Sequence, residues 1–228
     1  MLDANDQALL MEPISTDEIY KPLISCSAKK SPGPDGLTYE FYLKNFDVVK
    51  FDLAYIYNSY LIDGNLPPKE FTSGIITLVP KKGDHLDFNN YRPISLLNTD
   101  YKIFTKIIAN RVMTMLDKII GPGQVACIKN KSCTENLKNI RRLVTRSQEN
   151  KRVKGFLVSL DLMKAFDSVN HGFLWKILLK YGFPEKLVTC LKNLYSSATS
   201  SVLYNGFLTK KFQNKTSVRQ GCTFTSNH

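Results

Sequence analysis

The longest regular series of apolar positions is Leu97, Tyr101, Phe104, Ile108, Val112, Met115 and Ile119. Steps of three and four residues place them on one helical stripe, and Gly121-Pro-Gly123 stops the series. The spacing predicts a core helix. A second helix, starting near Thr134, carries Lys138, Arg141, Arg142 and Arg146, and the basic run continues into Lys151, Arg152 and Lys154. Elsewhere the period shortens. Gly74-Ile-Ile-Thr-Leu-Val-Pro80 reads as a strand, Pro80-Lys-Lys-Gly-Asp84 as its turn, and Asn90-Tyr-Arg-Pro-Ile94 as the return. Asn205-Gly206 marks a second hairpin between Ser201–Tyr204 and Phe207–Lys211. Ser15-x-x-Glu18 has the form of a capping box before Ile19, Leu23 and Ile24. Thr38 to Ile62 is aromatic-rich and mostly helical, Leu174 to Leu179 is helical, and Pro184-Glu185 opens a further helix to about Ser197.

The chain is organised around Gly155-Phe-Leu-Val-Ser-Leu-Asp161-Leu-Met-Lys-Ala-Phe166-Asp167. Phe156, Leu157, Val158 and Leu160 predict a short buried strand that ends on Asp161, and sites form at the carboxyl ends of such strands. Three roles suit a carboxylate there: ligand of a hard cation, partner in a phosphate site, or helix N-cap. The phosphate-loop version requires an upstream G-x-x-x-x-G-K-[ST] segment. Gly33-Pro-Asp-Gly36 lacks that spacing, which excludes it.

Charge narrows the partners. The chain has 31 Lys and Arg against 20 Asp and Glu, a net charge of +11 that favours an anionic partner. Acids dominate before Lys21, whereas after Gly172 the only acid is Glu185 among eight Lys and Arg. A basic back half suits nucleic acid, with a solvated basic face as the alternative. The loop Lys29-Lys-Ser-Pro-Gly-Pro-Asp-Gly36, with Lys30, suits either a phosphate-backbone contact or a plain interhelical turn. Lys81, Lys82 and Arg92 tip the first hairpin, as cations facing the Asp161 site or as solvent-facing residues. Five cysteines without a C-x-x-C pair argue against a disulfide framework and a zinc ribbon. The three histidines have no metal-ligand spacing. With no secretory signal and no apolar run of membrane length, the expectation is an intracellular, non-secreted protein, the nucleus included.

Five segments, in order, give the chain a family likeness. Ser31-Pro-Gly-Pro-Asp-Gly36, Ile76-Thr-Leu-Val-Pro-Lys-Lys-Gly-Asp84, Asn90-Tyr-Arg-Pro-Ile-Ser-Leu-Leu-Asn98, Leu160-Asp161 through Asp167, and Tyr204-Asn-Gly206 with Val218-Arg-Gln-Gly-Cys222 resemble the reverse transcriptase of non-long-terminal-repeat retrotransposons. The resemblance implies an α/β (α+β) fold: the fingers of a right-hand polymerase over about residues 1–150, then an incomplete palm over about 151–228. Helices dominate, with short antiparallel strands. It implies RNA-directed DNA polymerisation, with an RNA template, a DNA primer, deoxynucleoside triphosphates and two Mg2+ ions.

Residue by residue, Asp161 is then a catalytic carboxylate and metal ligand, with the Leu162 backbone carbonyl beside it. Phe166 matches a steric gate against a ribonucleotide 2′-hydroxyl. Lys81 and Arg92 would hold the triphosphate, with Lys82 as a substitute for Lys81, and Gln220 and Gly221 would line the sugar and base. Lys30, Lys82, Arg141, Arg142 and Arg146 would contact nucleic acid.

The sequence also departs from the family. It has no Asp-Asp pair, although the family's aromatic-x-Asp-Asp hairpin completes the metal site. Thr223 replaces a usual proline, Met163 a usual acid or polar residue, and Gln124–Lys131 lacks the family's glycines and phenylalanine. The expectation is a truncated domain that does not polymerise alone. A non-catalytic, basic RNA or RNA–DNA-binding remnant is the second reading, and an inert product of a decayed element the third.

Overall fold

The computed structural model describes residues 1–26, 30–84, 86–126, 128, 131–149, 155–163, 165 and 168–219. Its helices are α1 (Ala4–Leu10), α2 (Thr16–Ser25), α3 (Tyr39–Lys44), α4 (Phe46–Leu61), α5 (Lys69–Thr72), α6 (Thr99–Ile119), α7 (Cys133–Glu149), α8 (His171–Lys180) and α9 (Glu185–Ser196). The strands are β1 (Gly74–Pro80), β2 (Tyr91–Leu97), β3 (Thr199–Tyr204), β4 (Phe207–Leu208) and β5 (Phe212–Gln213).

The core helix predicted from Leu97 to Ile119 is α6, and its surroundings explain why it is central. Tyr101, Ile103, Phe104, Ile107 and Ile108 are all at most 1% exposed, so its first half is enclosed on every side. Tyr57 and Leu61 of α4, Ile19 and Leu23 of α2, and Leu187, Val188 and Leu194 of α9 are buried in the same core. Polar residues on α6 are tolerated because each finds a partner. Thr105 donates to the Tyr101 carbonyl at 2.9 Å, and Thr99 donates to the Leu37 carbonyl at 2.6 Å. Ser15 accepts from the Glu18 amide, as its pattern predicts. The full two-way capping box belongs instead to Asp3 and Asp6 at α1.

The sheet has the order β2-β1-β3-β4, with β5 also on β3. β1 and β2 form the predicted antiparallel hairpin, in register from Gly74↔Leu97 to Pro80↔Tyr91. The Asn205-Gly206 turn joins β3 and β4, and both residues have positive φ, 48° and 83°. This is the left-handed pair that a tight two-residue hairpin requires. The expectation of antiparallel pairing holds except at the centre, where β1 and β3 are parallel.

One expectation is overturned. Residues 156–160 do not form a buried strand: Phe156 is 100% exposed, Leu157 75%, Val158 68% and Leu160 87%. An interior strand needs a partner on each edge. β1 lies between β2 and β3, and β3 is flanked by β1 on one side and by β4 and β5 along its length. The interior places are filled, and the apolar run stays outside the sheet.

Asp100, in the first turn of α6, supplies a pH-dependent contribution. Burial, as the main cause, pushes its carboxyl up to about 6, with Asp35 adding in the same direction. A folded pKa above the unfolded one favours the protonated form in the native state. This contribution is therefore greatest below about pH 4 and falls as the pH rises towards 6. The loss is at most about 3 kcal/mol, from roughly two pH units at 1.36 kcal/mol each. Asp100→Asn keeps an oxygen for the Tyr101 amide, which the carboxylate accepts at 2.6 Å. Thermal unfolding of this variant at pH 7.5 should therefore show higher stability than the unaltered chain and a flatter profile between pH 4 and 6. A lower midpoint at pH 7.5 would refute the assignment.

Candidate nucleotide and nucleic-acid interface

The hairpin β1–β2 presents the first group of cations. Pro80 pairs with Tyr91, and one step further the Lys81 amide donates to the Asn90 carbonyl at 2.7 Å. Lys81 therefore lies opposite Asn90, and Arg92, two residues on from Asn90, shares its face as a diagonal neighbour. Both side chains are exposed, as is Lys82. Side-chain turns fix the tip. Asp84 accepts from the Leu86 amide at 2.9 Å, Asp87 from the Asn89 amide at 2.9 Å, and Asn90 Nδ2 donates to the Asp84 carbonyl at 2.8 Å. Lys81 Nζ donates to the Asn89 carbonyl at 3.2 Å, so the ammonium is held at the tip.

The loop from Lys30 to Leu37 is the second feature. It rests on the start of α6: Asn98 Oδ1 accepts from the Asp35 amide at 3.4 Å, and Lys102 Nζ donates to the Ser31 carbonyl at 2.9 Å. Burial, as the main cause, lowers the Lys102 pKa, and neighbouring Lys30 lowers it further. Lys30 itself is exposed. The loop is thus a pinned platform with one cation at its edge.

Helix α7 is the third. Lys138, Arg141, Arg142, Thr145 and Arg146 line one open concavity, as residues three, four, seven and eight apart must on a helix. No residue of α7 is buried. Its opposite face, Leu137, Ile140, Leu143 and Val144, is also exposed, and Phe156 and Leu157 share a cavity with it. The predicted nucleic-acid residues Arg141, Arg142 and Arg146 do come together.

Asp161 does not join them in a closed site. Asp161 and Leu162 are exposed in the irregular segment, and among the described residues no three His, Cys, Asp or Glu side chains are placed to hold a metal ion. One exposed carboxylate and one carbonyl do not fit two Mg2+ ions, which need several oxygen ligands each. Phe166, Asp167, Gln220 and Gly221 lie outside the described residues. Arg219 was not anticipated as a contributor. It is 6% exposed, and its guanidinium donates to the Thr72 carbonyl at 2.7 Å and to Tyr101 Oη at 3.0 Å. The motif quoted around it gave no signal of that burial.

α6 at the centre of the core, a hairpin tipped with exposed Lys81, Lys82 and Arg92, and an exposed basic helix α7 are the features that the family comparison must fit. Residues 79–226 match the model of the family described as reverse transcriptase (RNA-dependent DNA polymerase). The "Transposon TX1 uncharacterized 149 kDa protein" of Xenopus laevis is 37% identical over 213 residues, covering 93% of this chain and 16% of that protein. The "RNA-directed DNA polymerase from mobile element jockey" of Drosophila melanogaster is 31% identical over 206 residues, 88% of this chain and 22% of that protein. The R2DM Pol polyprotein of the same species is 27% identical over 195 residues, 86% and 18%. The chain belongs to the reverse transcriptase family, on the branch represented by non-long-terminal-repeat retrotransposons. It spans between 16% and 22% of the length of these three relatives. No helix among the described residues is long and apolar enough to cross a membrane.

Proposed function

We propose that this chain contributes the fingers and the front of the palm of an RNA-directed DNA polymerase, with residues of about 1–150 and 151–228 in the two roles. The observation that carries the proposal is the hairpin register, which sets Lys81 and Arg92 on one face of a rigid tip. Two cations so placed suit the triphosphate of an incoming deoxynucleotide, with Lys82 as a neighbour able to substitute for Lys81. Asp161, with the Leu162 carbonyl, would serve as one ligand of a magnesium site, Phe166 as the steric gate, and Gln220 and Gly221 as the lining of the sugar and base. Because the ligands among the described residues do not fit two ions, no chemical step is assigned to this chain alone. In the whole polymerase, Asp161 and the Leu162 carbonyl would be part of the ligand set of two Mg2+ ions, whose chemistry there would be to activate the primer hydroxyl and to stabilise the leaving pyrophosphate. An intracellular setting that includes the nucleus follows from the same reading.

A second reading, supported by the exposed basic concavity on α7, is a non-catalytic grip on an RNA or RNA–DNA backbone. Counterion release makes such binding steeply salt-dependent, by nearly one unit of log–log slope per phosphate contact. Anisotropy titrations with a labelled primed RNA should give a steep slope. The triple variant R141A/R142A/R146A should flatten it by about two to three units, at one contact per arginine. Asp161→Ala should leave it unchanged. Equal slopes for the triple variant and the unaltered chain would remove α7 from the interface.

A further inference from the structure

Three hydroxyl side chains stand three residues after an arginine: Ser95 after Arg92, Thr114 after Arg111 and Thr145 after Arg142. They differ in what surrounds them. Ser95 is buried, at 6% exposure. Thr114 is exposed, but its arginine is held by Glu18 of α2 through two hydrogen bonds of 2.7 and 2.6 Å. Thr145 and Arg142 are both exposed on α7, and a second exposed arginine, Arg141, precedes them. Arg142 reaches Asn139 Oδ1 at 3.5 Å, which is long for a hydrogen bond, so its guanidinium is open to a stronger acceptor.

Thr145 lies inside the basic face. It lines the same concavity as Lys138, Arg141, Arg142 and Arg146. Side chains on a helix lean towards its N-terminus, so Thr145 projects over the turn that carries Arg141 and Arg142, four and three residues back. Glu149 stands one turn ahead, and its like charge would direct a negative group on Thr145 back towards the arginines. The helix also grants access. No residue of α7 is buried, so opening it locally exposes no core, and segments of this kind open at low free-energy cost. An enzyme that reads an extended segment can therefore take this one without unfolding the rest of the chain.

We propose that Thr145 is the acceptor of a protein kinase whose acidic cleft selects arginine three residues upstream, and that the phosphate switches off the grip of α7 on nucleic acid. The inference rests on the reading of α7 as a nucleic-acid face. In the transfer, Thr145 Oγ1 attacks the γ-phosphorus of ATP. One O–P bond forms, the bond from that phosphorus to the bridging oxygen breaks, ADP leaves, and the hydroxyl proton passes to the kinase's base. The product carries about two negative charges and three strong acceptor oxygens. Arg141 and Arg142 can satisfy them with their forked guanidinium groups, and each arginine so engaged is lost to an RNA phosphate. Of the four cations that line the concavity, Lys138 and Arg146 remain, beside a group of the same sign as the nucleic-acid backbone.

The test treats the whole 228-residue chain with ATP, Mg2+ and a protein kinase of that arginine selectivity. Mass spectrometry of the digested chain should place a phosphate on Thr145, and the same peptide of Thr145→Ala should stay unmodified. Anisotropy titrations with labelled primed RNA should then give a log–log salt slope flatter by about two units for the phosphorylated chain, at nearly one unit per lost contact. A phosphatase should restore the slope, and kinase-treated and untreated Thr145→Ala should have equal slopes. Absence of phosphate from Thr145 would overturn the site, and a phosphorylated chain with an unchanged slope would overturn the switch. A separate result judges the reading underneath. An untreated chain with no steep slope, or with one that R141A/R142A/R146A leaves unaltered, would remove α7 from the interface, and the switch with it, even if Thr145 takes the phosphate.

Discussion

Arg111→Ala is expected to destabilise the fold by roughly 2–3 kcal/mol, below the 3–5 kcal/mol of a fully buried pair because the Glu18 side chain is 26% exposed. The Arg111 side chain is 11% exposed and grips Glu18 of α2 with both branches, Nε to Oε1 at 2.7 Å and Nη2 to Oε2 at 2.6 Å. Its remaining nitrogen donates to the Leu10 and Glu12 carbonyls at 3.1 and 2.6 Å, the first of which is an end group of α1. Removing it takes the partner from a part-exposed carboxylate and two carbonyls at once, and loosens α1 and α2 on α6. A domain of this size has a stability of about 5–15 kcal/mol, so the loss is a large fraction of the whole. Urea unfolding should give a much lower midpoint for Arg111→Ala. Arg111→Lys should fall between the two, because an ammonium keeps the charge but not the fork. A midpoint within error of the unaltered chain for the alanine variant would contradict the arrangement.

Gly33→Ala should release the loop that carries Lys30. A Cβ at Gly33 would lie 2.3 Å from both the backbone nitrogen and Oδ1 of Asn98, and 2.5 Å from the Leu97 carbonyl carbon. Two of these atoms are backbone at the junction of β2 and α6, and they have nowhere to move. The loop must therefore lift. With it go the bonds from the Asp35 amide to Asn98, from Thr99 to the Leu37 carbonyl and from Lys102 to the Ser31 carbonyl. At about 1–1.5 kcal/mol for each neutral bond and more for the charged one, the expected loss is roughly 4 kcal/mol. Lys102 would then be exposed to solvent, so amide exchange across residues 30–37 should accelerate together. If exchange there is unchanged and the unfolding midpoint is preserved, the packing against Asn98 is not as tight as described.

What was legible in the sequence was whatever depends on local pattern. The stripe from Leu97 to Ile119 gave α6, the Asn205-Gly206 pair gave the β3–β4 turn, and the clustering of Arg141, Arg142 and Arg146 followed from helical spacing. Partner choice was not legible. Phe156, Leu157, Val158 and Leu160 mark a segment that would gain from burial, yet nothing local says which sheet edge it would join. The parallel pairing of β1 with β3 joins residues more than a hundred positions apart, and it takes the interior place that the segment would need. The site divides in the same way. Lys81 and Arg92 were placed together correctly because a hairpin is local. Asp161 was drawn towards them by resemblance, and the structure leaves it exposed and without metal-binding neighbours among the described residues. Arg219 shows the reverse case: a buried arginine carries no mark in the sequence, because its partners, Thr72 and Tyr101, come from distant elements.

On the proposed reading, the chain grips the nucleotide and template of a reverse transcriptase, and its described residues do not complete a metal site. Incorporation of labelled deoxynucleotide on a primed RNA template, in magnesium, by the purified chain of 228 residues tests it most directly. The expected result is no incorporation above the level given by Asp161→Ala, in a sample that binds the same template. Template-dependent extension that disappears in Asp161→Ala would contradict it, and would show that this chain assembles a working two-metal site by itself.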